Sequence, residues 1–112
     1  MAAGVLLGAC GGSSAAQPAG STKVTMTEFK FDPSTVSVSA GKAVFFLVNS
    51  GTTGHDMSIR DSSGATIAHS DLVSAGDSFV FTVDSITAGT YMFFCSQPGH
   101  EASGMKGTLT VS

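Results

Sequence analysis

The sequence predicts an all-β fold, a Greek-key β-sandwich of about eight short strands. Three observations predict it. Apolar and polar side chains alternate with a period of two in several segments, among them residues 35–39 and 78–83. Glycine is abundant, 14 in 112 residues, and falls between those segments, where turns are needed. No stretch of useful length shows the spacing of an amphipathic helix.

The strands are expected in this order. Residues 23–28 and 35–39 alternate, with Phe31-Asp32-Pro33-Ser34 between them as a turn. Ala40-Gly41-Lys42 turns the chain into the apolar run 43–49, which suits a strand buried on both faces. Residues 50–54 read as a loop and 55–60 as a short strand. Asp61-Ser62-Ser63-Gly64 is a turn, and 65–76 reads as a short strand plus irregular chain. Residues 78–83 alternate clearly, Ala88-Gly89-Thr90 leads into the strand 91–95, 96–104 is a loop, and 105–111 closes the fold. There is no internal repeat.

A chain of 112 residues suits one domain, and 42% hydrophobic against 12% charged residues excludes a disordered chain. The net charge is −3, and the five basic residues (Lys23, Lys30, Lys42, Arg60, Lys106) are scattered. No basic stripe exists to track phosphates, so nucleic acid is not an expected partner. No apolar run reaches the length of a spanning helix.

Residues 1–22 read as a leader and flexible tether, and 23–112 as the domain. The apolar start ends in Leu7-Gly8-Ala9-Cys10, which resembles the lipobox of bacterial lipoproteins, where a leader is cleaved before a lipidated cysteine. Residues 11–20 have the composition of a spacer. No Lys or Arg precedes the apolar run, a departure from the usual leader. A membrane tether through lipidated Cys10 is the expectation, with a disordered N-terminus of a soluble secreted chain as the alternative. A Cys10–Cys95 disulfide is not expected, because Cys10 sits beside a flexible tether and Cys95 has another use.

That use is metal binding. Cys95, His100 and Met105 lie on one short segment, with four residues between each pair of neighbours. His55 stands forty residues before Cys95, at the start of a strand. Two imidazoles and a thiolate in a trigonal set, with a weak axial thioether, suit copper in both oxidation states. Structural zinc calls for four strong ligands, commonly with paired cysteines, which this chain lacks. A loop between adjacent strands can turn three side chains to one point, and a neighbouring strand supplies His55. Ligands fixed on a stiff sandwich move little when the metal gains an electron, which is what an electron carrier requires.

Other candidates read as structural. His69 has no metal role, Met57 and Met92 fill the core, and Glu101 is a solvated loop residue. Met57 is the rival axial ligand, two residues from His55, but Met105 has the better reach from its loop. The phenylalanines read as core.

The chain resembles the plastocyanin/azurin (cupredoxin) family, and most of all the auracyanin type. The matching features are Phe31-Asp32-Pro33, Ala40-Gly41, Gly54-His55, Tyr91-Met92-Phe93-Phe94-Cys95, and the loop from Pro98-Gly99-His100 to Gly104-Met105. The resemblance implies an eight-stranded sandwich, one copper ion, and one-electron transfer outside the cytoplasm without substrate turnover. It also implies transient docking of a donor and an acceptor redox protein near His100, on the small residues Gly51, Thr52, Thr53, Gly54, Pro98, Gly99, Ala102 and Gly104. Analogy with azurin-like loops adds two backbone N–H donors to the Cys95 sulfur, from Asp56 and Gln97. The chain departs from the family at Asp56, where Asn is common. The carrier is expected to be a monomer.

Three alternatives weigh less. A copper chaperone would use exposed, Met-rich Cu(I) sites. A nitrite reductase or multicopper oxidase domain would need further histidines, and only His69 is spare. A metal-free adhesion sandwich would leave the four-ligand match to chance.

Overall fold

A computed structural model describes residues 15–112, and the lipobox-like segment with Cys10 lies outside the described residues. Among the described residues there are nine strands and no helix. They are β1 (Thr22–Thr27), β2 (Lys30–Asp32), β3 (Thr35–Val38), β4 (Gly41–Asn49), β5 (Ser58–Arg60), β6 (Thr66–His69), β7 (Ser78–Ile86), β8 (Gly89–Phe94) and β9 (Lys106–Val111). One sheet runs β2-β1-β4-β7 and the other β3-β9-β8-β5-β6. The expected all-β sandwich is what forms.

The core follows from the alternation. Val24 and Met26 of β1, Phe45 and Leu47 of β4, and Phe81 and Val83 of β7 point inward from the first sheet. Val36, Ile59, Phe93, Leu109 and Val111 meet them from the second. Phe93 and Phe31 pack edge to face with centroids 4.9 Å apart, a favoured aromatic geometry.

Several boundaries differ from the sequence expectation, among them those at β2 and β5. Phe31 and Asp32 belong to a short strand rather than a turn, because Phe31 pairs with Met26 of β1 and is only 3% exposed. One three-residue strand holding one core side chain has too little periodicity to read. The strand expected from His55 begins at Ser58, and His55 itself makes an isolated bridge to Val73.

Topology places the site. β1 and β4 run parallel, so their C-terminal ends, Thr27 and Asn49, share one end of the sandwich. β8 and β9 are antiparallel neighbours, so Cys95 just after β8 and Met105 just before β9 stand side by side. Cys95 N–H donates to the Met105 carbonyl at 3.1 Å, closing the base of the loop between them.

Gly107 of β9 sits at a close approach of chains. A Cβ there would strike the Ser34 carbonyl oxygen and lie 2.5 Å from the buried Phe93 ring. Glycine in a strand often marks such a close approach of two chains. Gly107→Ala is expected to lower the unfolding free energy by about 1–3 kcal/mol through overpacking. Urea denaturation measures this, and an unchanged midpoint would contradict the packing described.

Candidate metal centre

Three strong ligand atoms converge at this end of the sandwich. Cys95 Sγ lies 3.4 Å from His100 Nδ1 and 3.9 Å from His55 Nδ1, and the two Nδ1 atoms are 3.2 Å apart. His55, Cys95 and His100 form the metal-capable cluster found among the described residues. His55 and Cys95 are buried, and His100 is partly exposed. The donor chemistry, one sulfur and two imidazole nitrogens turned toward one point, fits a copper ion.

Met105 is fully buried beneath this cluster's loop. Its N–H donates to the His100 carbonyl at 3.1 Å, and its carbonyl accepts from Cys95. The backbone thus ties Met105 to both Cys95 and His100. Met57, the rival, is also fully buried, but its backbone is tied to Ser70 instead. His69 is exposed on β6 and its Nδ1 contacts the Ser70 carbonyl at 3.2 Å.

The first imidazole is held by its loop. Asn49, 1% exposed, donates from Nδ2 to the carbonyls of Thr53 and Val73, both at 2.8 Å, and accepts from Gly51 N–H at 2.9 Å. His55 exchanges two backbone hydrogen bonds with Val73 at 3.1 and 2.8 Å.

Asp56 joins the two halves of the site. Its carboxylate, 4% exposed, accepts from Ser96 N–H at 2.9 Å, from the Ser96 hydroxyl, from Gln97 Nε2 at 3.0 Å and from the Ser58 hydroxyl at 3.2 Å. A buried carboxylate without a cation needs donors of this kind. Asp56 N–H in turn donates to Cys95 Sγ at 3.5 Å.

Burial pushes the Cys95 thiol above its ordinary pKa, against the opposing pull of backbone N–H groups of Asp56 and Gln97. Of the two expected donors to the sulfur, Asp56 N–H has the hydrogen-bond geometry, at 3.5 Å.

Three residues near the site escaped the sequence reading. Glu28, just after β1, accepts from His55 Nε2 at 2.9 Å. Hydrogen bonding first to Thr52 N–H, then to Thr53 and His55, lowers its pKa to about 2 against its partial burial. Phe29 is not core: it is 40% exposed and packs edge-on against the His100 ring, centroids 4.9 Å apart. Glu101 is not simply solvated. It forms a bidentate pair with Arg60 at 2.7 and 3.1 Å, and that hydrogen bonding lowers its pKa. Arg60 also lies over the Phe94 ring, 3.9 Å from its centroid. A glutamate at a strand end or in a loop carries no sequence signal for a partner on another element, so the partners of Glu28 and Glu101 could not be read before folding.

Comparison with known proteins identifies the family. The family described as "Copper binding proteins, plastocyanin/azurin family" matches residues 18–112. Plastocyanin of Scenedesmus fuscus is 39% identical over 87 residues, covering 72% of this chain and 85% of the relative. Azurin of Pseudomonas denitrificans is 46% identical over 56 residues, covering 47% of this chain and 43% of the relative. Among solved structures, auracyanin of Roseiflexus castenholzii superposes with a TM-score of 0.73 at 22% identity, covering 86% of this chain and 99% of that one. With a ligand cluster of matching chemistry and a family match spanning the whole sandwich, the chain belongs to the plastocyanin/azurin family of copper-binding proteins.

Proposed function

We propose that the protein is a one-electron carrier in which His55, Cys95, His100 and Met105 hold one copper ion. The observation that carries this reading is the convergence of His55 Nδ1, His100 Nδ1 and Cys95 Sγ within 4.8 Å, drawn from two separate loops. Bound copper supplies a centre that alternates between Cu(I) and Cu(II).

The chain's own residues do the rest. Asn49 and Val73 hold the His55 loop, and Asp56 clamps the Cys95 loop to it. Cys95 and His55 are walled off from water, so solvent does not reorganise around them. His100 alone of the three reaches the surface, and its edge is the exit route for the electron. The alternative of a copper chaperone is less well served, because ready exchange favours exposed ligands. Cyclic voltammetry of the copper-loaded protein tests the function. A reversible one-electron wave supports it, whereas irreversible loss of Cu(I) to a chelator on reduction would favour the chaperone.

The docking face belongs to the same reading. Thr52, Thr53, Pro98, Gly99, Ala102 and Gly104 are exposed and uncharged. Phe29 at 40% and Leu72 at 56% exposure flank them, Leu72 lying against Gly54. A small, weakly polar contact favours brief encounters. Ala102→Lys is expected to slow electron self-exchange on the order of tenfold by like-charge repulsion while leaving the visible spectrum in place. NMR line broadening in mixed Cu(I)/Cu(II) samples reads this rate, and an unchanged rate would argue against the face. Such carriers suit an extracytoplasmic position, and the lipobox-like Leu7-Gly8-Ala9-Cys10 supports a lipid tether. The mass of the N-terminal peptide from membrane-extracted protein tests it, and an unmodified Cys10 would refute it.

A further inference from the structure

We infer that Glu28 is a positioning residue for the metal centre, which fixes the ring of His55 with Nε2 protonated and Nδ1 bare toward the ligand cluster. The inference rests on the copper reading above and deepens it.

The geometry is built rather than incidental. The Glu28 side chain is 26% exposed, and its carboxylate receives donors on both oxygens. Thr52 N–H lies 3.0 Å from both Oε1 and Oε2, and Thr52 Oγ1 lies 3.3 Å from Oε1. Thr53 N–H and Oγ1 each lie 3.0 Å from Oε2. These donors fix the carboxylate, and Oε2 then meets His55 Nε2 at 2.9 Å. A carboxylate oxygen surrounded by donors can only accept, so the ring nitrogen facing it must donate. A neutral imidazole has one N–H, which leaves Nδ1 as the lone pair, 3.9 Å from Cys95 Sγ and 3.2 Å from His100 Nδ1. A carboxylate behind a ligating histidine both orients the ring and makes it a stronger donor to the metal.

Gly51 is part of this arrangement. A Cβ at position 51 would collide with the Glu28 carboxylate. The glycine leaves the space in which the carboxylate sits. Gly51 therefore offers a second route to the same disturbance, one that removes no charge.

Glu28→Gln replaces one of the two accepting oxygens with an NH2 that cannot accept, so either the Thr52 and Thr53 donors or His55 Nε2 loses its acceptor. Gly51→Ala pushes the intact carboxylate away. Both variants are expected to expose the His55 Nε2–H to faster solvent exchange in the metal-free protein, seen by 15N NMR. Both are expected to weaken Cu(II) binding about tenfold relative to Cu(I). That raises the one-electron potential by ~59 mV. The blue absorption should persist in each. A purely structural role would lower stability without moving the His55 nitrogen signals or the potential, and that result would overturn the inference. Should Glu28→Gln fail to fold, Gly51→Ala decides alone. If the wild-type chain forms no blue centre, the copper reading falls. The nitrogen signals of the metal-free protein still decide whether Glu28 sets the tautomer.

Discussion

Cys95→Ser is expected to abolish the intense visible band of the copper-loaded protein and to weaken Cu(I) binding by more than about a hundredfold. That is beyond the upper end of what a supporting residue contributes. The thiolate is the one anionic, soft ligand in the set, and Cu(I) depends on it. A serine hydroxyl is harder and keeps its proton at neutral pH. The fold should survive, because Ser Oγ can still accept from Asp56 N–H, which reaches Sγ at 3.5 Å in the native chain. Competition with a Cu(I) chelator measures the affinity, and circular dichroism verifies the sandwich. A blue Cys95→Ser protein would remove the sulfur from the mechanism.

The second large effect is expected at Asp56. Asp56→Ala strips four hydrogen bonds from Ser58, Ser96 and Gln97 at once. Bonds to a charged group are worth about 1.5–3 kcal/mol, and a buried donor left alone costs about 1–3 kcal/mol. A loss of about 3 kcal/mol or more is therefore expected in urea unfolding, together with a broadened copper spectrum as the two ligand loops separate. Asp56→Asn should fall between. Its carbonyl can still receive Ser96 N–H, but its amide meets Gln97 Nε2 donor to donor. It also removes a negative charge near the sulfur, so the reduction potential should rise. Each tenfold change in the one-electron equilibrium is worth ~59 mV. A stable Asp56→Ala protein with an unaltered spectrum would show that the clamp is dispensable.

Much of this was legible before folding. The alternation of residues 78–83 and the apolar run 43–49 became β7 and β4, because each period carries one whole face of a sheet. The spacing of Cys95, His100 and Met105 marked the loop, since the ligand types themselves carry the chemistry. What stayed hidden was set by topology. Phe31 enters the core only because β2 folds back on β1. Glu28 reaches His55 only because the parallel pairing of β1 and β4 brings their C-terminal ends together. Arg60 and Glu101 meet across forty-one positions, and Phe29 turns out to His100 rather than inward. Such contacts depend on which strands are neighbours, and local sequence does not state that.

The most direct test of the account is the visible absorption spectrum of the purified chain after one equivalent of Cu(II). The account requires an intense blue band that saturates at one copper per chain and bleaches reversibly on reduction. A pale solution with only the weak colour of ordinary Cu(II), in a protein shown to be folded, would contradict it.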